Sequence, residues 1–209
     1  HMTRNNDGKI VEVEQSHPSA KMGVVMHDLA TDDVVFQPVQ DRTWRRVRDG
    51  LMMFGGPAGT LKKCVSDRAP EFKKALLDLM IAPFGTTPGR STSHGRAERA
   101  NRTVLEVVRP ALEQSGLDMN FIPHAASHGL WIRRLTKTKD GSSIYEQKCP
   151  GCAAPSIWPF GAEVVFKPSK AFNTTDKAAP RGRKGVMIDY VTCPGGAWTG
   201  DYLVAELAH

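Results

Sequence analysis

A chain of 209 residues, 40% hydrophobic and 24% charged, can bury a complete core as one large domain or one domain with an appendage. The 28 Lys and Arg against 22 Asp and Glu give a formal net charge of +6 and a pI near 9.3, which favours a polyanionic partner. No apolar run approaches the roughly 18 residues that span a membrane and no secretory pattern opens the chain, so neither a membrane protein nor an exported one is expected. His1-Met2 reads as a cloning scar, and the abrupt start as that of a piece excised from a longer polyprotein.

In chain order, Ile10 to Glu14 alternates apolar and acidic residues as a strand does, and Met22 to Met26 and Val34 to Phe36 read as two more strands joined by polar turns. A helix follows from about Thr43 to Phe54, with Trp44, Val47 and Leu51 on one side, and Gly55-Gly56-Pro57 stops it. Leu61 to Ser66 is a strand leading into Asp67, Glu71 to Met80 a helix with Phe72, Leu76 and Leu79 inward, and Ile81 to Thr87 a fifth strand. Pro88 to Gly95 is a loop of turn formers and basic residues. A helix begins near Gly95 and buries Val104, Leu105, Val108 and Leu112. Three strands in hairpin order followed by strands alternating with helices is the order of an RNase H-like α/β core, a mixed five-stranded sheet flanked by helices.

Two segments carry chemistry. Ser66-Asp67-Arg68-Ala69-Pro70-Glu71-Phe72 and His94-Gly95-Arg96-Ala97-Glu98-Arg99-Ala100-Asn101-Arg102-Thr103 set Asp67 at a strand end and Glu98 at a helix start. Converging carboxylates of this kind hold the two divalent cations that phosphoryl transfer uses, and magnesium suits such oxygen ligands. Each acid also has an ordinary reading: Asp67 as a turn former or helix cap, Glu98 as a charge favoured by the dipole of its helix's first turn. Both segments resemble the retroviral-type integrase catalytic core, most closely that of copia-type retrotransposons, in which a strand ends in Ser/Thr-Asp-x-x-x-Glu-Phe and a helix opens with Asn-Gly-x-x-Glu-Arg.

The resemblance runs from about Gly23 to Leu207. It implies a metal-dependent polynucleotidyl transferase, using Mg²⁺ or Mn²⁺, that processes DNA 3′ ends and transfers them into target DNA. It also implies DNA and further copies of the chain as partners, and a nuclear location in a eukaryote. Asp67 and Glu98 match two of the family's three acids. The third is an Asp in the first strand; counting back one hairpin reaches Glu14, with Glu12 on the same strand face, and neither is Asp. The 30 residues between Asp67 and Glu98 are also fewer than is usual in the family. A domesticated, catalytically weak DNA-binding or assembly module is therefore the alternative. Arg90, Arg96, Arg99 and Arg102 are candidate DNA contacts, or else a solvated basic face.

The remaining third supplies a separate candidate. His124 and His128 lie four apart on a predicted helix, and Cys149-Pro150-Gly151-Cys152 is a knuckle 20 residues further on, so the four could hold a structural zinc. The ordinary reading is two histidines packed along a helix and two reduced cysteines; Cys64 and Cys193 read as free thiols, consistent with an intracellular compartment. Segments around 158–166, 185–190 and 194–204 resemble the β-rich region that follows the integrase core. The expected organisation is a core over 3–135, a linker with the knuckle over 136–162, and a β-rich extension over 163–209. Lys167 to Lys184 reads as a basic loop. No Gly-x-Ser-x-Gly elbow, phosphate loop or dinucleotide turn is present.

Overall fold

The structure, a computed structural model, describes residues 22–56, 61–66, 69–85, 91–167 and 182–207. Strands β1 (Met22–Asp28) and β2 (Asp33–Val39) form an antiparallel hairpin with Met22 opposite Val39 and Asp28 opposite Asp33. Asp28 shapes its turn by accepting from the Ala30 N–H and the Thr31 hydroxyl. Helix α1 (Trp44–Gly55) buries Val47 and Leu51 and ends at Gly56, whose φ of 73° only glycine adopts freely. Strand β3 (Cys64–Ser66), helix α2 (Pro70–Asp78) and strand β4 (Pro83–Gly85) form a compact βαβ unit with β3 and β4 parallel.

Helix α3 (Ser91–Ser115) is the longest element, and a 3-10 turn at Met119–Phe121 leads into α4 (Ile122–Leu135). The two helices pack closely because Gly129 has no side chain: a Cβ there would fall 2.7 Å from that of Val107. Short α5 (Ile144–Lys148) starts with a capping box, in which Ser143 accepts from the Glu146 N–H while Glu146 accepts from the Ser143 N–H. Strands β5 (Glu163–Phe166), β6 (Arg183–Thr192) and β7 (Trp198–Glu206) close the chain as an antiparallel sheet in the order β5-β6-β7.

Three apolar clusters hold these layers. Val24, Met26, Val39, Val47, Leu51, Ala75, Leu76 and Ile81 join the hairpin to α1 and α2. Val34, Ala100, Val104, Val108, Ala125, Ala126 and Leu130 join it to α3 and α4, and Phe160, Val186 and Ile188 complete that cluster from the C-terminal β region. Trp131, Tyr145, Cys149, Met187, Tyr190 and Tyr202 form an aromatic cluster under β6 and β7. Each fully buried leucine, Leu76 or Leu130, contributes roughly 1.5–3 kcal/mol.

The mixed α/β order agrees with the sequence expectation, and the pairing differs. In place of one five-stranded sheet, the described strands form pairs β1-β2 and β3-β4 and the three-stranded C-terminal sheet. The strand expected over Ile10 to Glu14 lies outside the described residues, and β3 and β4, three residues each, offer little edge for further pairing. Helix α3 also starts at Ser91 rather than near Gly95, because part of the turn-former run is helical. Among the described residues no helix is long and apolar enough to cross a membrane.

Candidate active site

Because β3 and β4 are parallel, Cys64 facing Pro83 and Ser66 facing Gly85, both strands end at one edge. That is the edge at which α/β sheets carry their chemistry. Ser66 is the last residue of β3, and Asp67, next in sequence, lies outside the described residues, as do Glu14 and Arg90. Of the three candidate metal ligands, Glu98 alone falls within them.

Glu98 sits on α3, its side chain exposed. The earlier helix start corrects the placement of Glu98 in the first turn: it lies about two turns in. The dipole's influence fades within the first turn, so it no longer accounts for an acid here. Arg102 follows Glu98 by one turn, yet no ion pair joins them or ties Glu98 to any other described residue. The carboxylate is thus presented to solvent without an ion-pair partner among the described residues. Arg96, Arg99 and Arg102 are exposed on the same helix, and Ala100, Val104 and Val108 seat it in the core.

The four zinc candidates are not gathered into a site. His128 is buried, its Nε2 is 3.0 Å from the Trp158 carbonyl oxygen, and its ring packs 5.4 Å from those of Phe160 and Tyr190. Burial pushes its pKa down to about 4, only partly opposed by that carbonyl. His124 lies beside Phe121, one turn earlier on α4. Cys149 is buried, its Sγ 3.9 Å from the Gly195 carbonyl oxygen, while Cys152 is exposed. Among the described residues no three His, Cys, Asp or Glu side chains are close enough together to hold a metal ion.

One charged cluster has no counterpart in the sequence reading. Asp33, 1% exposed in its side chain, pairs with Lys148 Nζ at 3.0 Å and Arg134 Nε at 3.3 Å; Lys148 also pairs with Asp28 at 3.1 Å. Burial pushes the Asp28 carboxyl up, but the Ala30 N–H, Lys148 and Thr31 together hold it below its ordinary range. Gly196 admits the Arg134 guanidinium, since a Cβ there would lie 2.3 Å from Nη1. Nearby, Asp189 is buried on β6, accepting from the Tyr190 N–H at 2.8 Å and bonded to Ser127, and burial pushes its pKa up to about 7. A cavity of about 60 Å³ lined by Ser127, Trp131, Arg134 and Asp189 is too small for a nucleotide. An Asp inside the apolar run Val186-Met187-Ile188-Asp189-Tyr190-Val191 was the one sequence signal of this cluster. The ion pairs left none, their partners being more than a hundred residues apart for Asp33.

No protein-family profile matches the chain. Over 110 residues, 52% of its length, it is 32% identical to the truncated transposon Ty1-A Gag-Pol polyprotein of Saccharomyces cerevisiae and likewise to the Ty1-DR4 Gag-Pol polyprotein. The chain spans less than a tenth of those polyproteins: 9% and 7%. Solved structures with a related trace include the catalytic core of BIV integrase, at 18% identity and a TM-score of 0.42 over 60% of this chain and 90% of that one. The HTLV-2 integrase catalytic core in complex with magnesium gives 16% and 0.42, covering 60% and 92%. The simian T-cell lymphotropic virus intasome in complex with PP2A regulatory subunit B56 gamma gives 15% and 0.47, covering 100% and 84%. The resemblance read from the two motif segments, to the integrase core of copia-type retrotransposons, is met over half of the chain by Ty1 Gag-Pol polyproteins.

Proposed function

We propose that this chain is a retrotransposon-type integrase, a metal-dependent polynucleotidyl transferase that processes DNA 3′ ends and joins them to target DNA. The observation that carries the reading is Glu98: an exposed carboxylate with no ion pair among the described residues, well inside a core-packed helix, in a segment that resembles the family's motif. The similarity to Ty1 Gag-Pol polyproteins supports it.

Glu14, Asp67 and Glu98 form an all-oxygen donor set, which fits Mg²⁺ or Mn²⁺. When bound, such ions supply the charge neutralisation that a reacting phosphodiester needs. The chain's own contribution is positioning. Helix α3, seated in the core by Ala100, Val104 and Val108, would hold Glu98 in place for the metal. Arg96, Arg99 and Arg102, with Arg90, neutralise phosphates and hold DNA in register without reading its sequence. Water attacks a phosphodiester near the element end, releasing the terminal nucleotides and leaving a free 3′-hydroxyl; that hydroxyl then attacks a target phosphodiester, forming a new P–O bond as the target's own 3′-oxygen leaves. Joining two ends calls for more than one copy of the chain, and a eukaryotic host for action in the nucleus.

A strand-transfer assay with a Mg²⁺ or Mn²⁺ titration tests this. Metal-dependent joining that disappears in Asp67→Asn and Glu98→Gln, with DNA binding kept, is the expected result. Unchanged joining in either variant overturns the assignment. DNA binding by the intact protein without any joining would identify a catalytically weak module instead, the alternative that a Glu in place of the family's first Asp invites.

A further inference from the structure

We propose that the face of α1 and α2 centred on Trp44 is a second nucleic-acid contact, gripping the phosphate backbone of duplex DNA independently of the α3 arginines. Three cations gather over the one indole: Lys74 Nζ at 4.7 Å from the ring centroid, Arg45 Cζ at 5.3 Å and Arg48 Cζ at 5.7 Å. Arg42, Arg46 and Lys73 extend the patch on the same two helices. Acids answer only part of this charge. Arg48 pairs with Asp49 at 2.9 Å and Asp78 at 3.3 Å, and Arg42 with Glu71 at 3.2 Å. Arg45, Lys73 and Lys74 are exposed and make no ion pair among the described residues; Arg46, also exposed, donates to the Gln40 amide oxygen at 3.1 Å and its charge acts on the Asp41 carboxyl without an ion pair.

The mode of attachment separates this patch from an ordinary solvated face. A salt bridge spends a cation's N–H donors on a carboxylate. The face of an aromatic ring instead attracts the charge through its quadrupole and leaves the donors free. Arg45 and Lys74 are therefore ordered in advance with their hydrogen-bonding capacity intact, which lowers the entropy cost of taking a ligand. The arrangement has no reason of its own in helix stability: the first turn of α1 carries no acid, and its arginines oppose the helix dipole. An incoming polyanion removes that repulsion.

Duplex DNA fits better than other polyanions. It presents about one charge per 1.7 Å along a stiff axis, matched by a rigid two-helix face, and arginine binds phosphate in bidentate fashion. A membrane surface would call for an indole free to insert, whereas Trp44 is half-buried and covered by cations.

The test is the salt dependence of binding to a mixed-sequence duplex, measured in EDTA so that it needs no catalysis. Arg45→Gln with Lys74→Gln should weaken binding about tenfold or more at low salt and reduce the slope of log K against log salt by about 1.8, two contacts at 0.9 each. The exposed pair Lys137→Gln with Lys139→Gln, equal in charge removed, should leave the slope unchanged. Equal losses in both double variants, or wild-type affinity and slope in the first, overturn the proposal. So does a variant that loses binding to polyglutamate or to anionic phosphatidylserine vesicles but not to DNA. Both substituted side chains are exposed, and the single variants Arg45→Gln and Lys74→Gln should each reduce the slope by about 0.9. Failure of the catalytic assignment shows separately, in the joining assay with Asp67→Asn.

Discussion

Asp189→Asn isolates a strongly perturbed carboxyl of the core. Asp189 is 7% exposed, and burial raises its pKa from 3.8 to about 7 against the opposing hydrogen bonds of Ser127 and the Tyr190 N–H. In the unfolded chain it loses its proton near pH 4, while the folded chain keeps it until about 7. Between those limits the folded state binds more protons, so stability falls as pH rises, by roughly 4 kcal/mol in all at 1.36 kcal/mol per pH unit. His128 acts in the opposite sense: its pKa falls from 6.5 to about 4, so the stability tied to its neutral form grows as pH rises through that interval. The two trends offset one another from about pH 4 to 6.5. Asparagine keeps the size and the acceptor and cannot ionise. The stability of the variant minus that of the parent should therefore be near zero at pH 4 and climb to a few kcal/mol by pH 8, the His128 contribution cancelling in the difference. Urea denaturation across that range measures it. A difference that does not change with pH, or that falls as pH rises, refutes the burial argument.

Two further substitutions probe the ion-paired cluster. Among the described residues, Lys148→Met leaves Asp28 without an ion pair and Asp33 paired with Arg134 alone, and should cost about 3 kcal/mol in urea denaturation, with Asp33→Asn recovering part of it. A cost below about 0.5 kcal/mol would reduce the cluster to surface pairing. Gly196→Ala puts a methyl 2.3 Å from Arg134 Nη1 at a residue with φ of 83°. It should destabilise by about 1–3 kcal/mol, and an unchanged Tm would contradict that placement of the guanidinium.

The sequence spoke most clearly where the relevant contacts are local. Trp44, Val47 and Leu51 mark α1 at helical spacing, and the turn between Asp28 and Asp33 marks the hairpin, so both elements were legible within a few residues of their ends. The start of α3 was hidden, because Ser91-Thr92-Ser93-His94-Gly95 has the composition of a loop and is held helical by the core-packed stretch that follows. Asp67 and Glu98 were found through their motifs, which periodicity alone could not have singled out. The pairing of Asp33 with Arg134 and Lys148 was out of reach for the opposite reason: hairpin, α4 and α5 meet only in three dimensions. Helical spacing sets Trp44 on one side of α1 with Val47 and Leu51, whereas its ring of cations depends in part on how α2 packs beside α1.

The apolar cluster that runs from Val34 on β2 to Ile188 on β6 has a bearing on synthesis. A ribosome delivers the hairpin and α3 long before the strands that cover them, so Val104, Val108 and Leu130 emerge without their final neighbours. Folding must wait for residues near the far end of the chain, and such distant closures are slow. A translation product cut short before β6 would carry an open apolar face prone to aggregation, so fragments ending at the expected linker should prove insoluble even though they retain both motif acids.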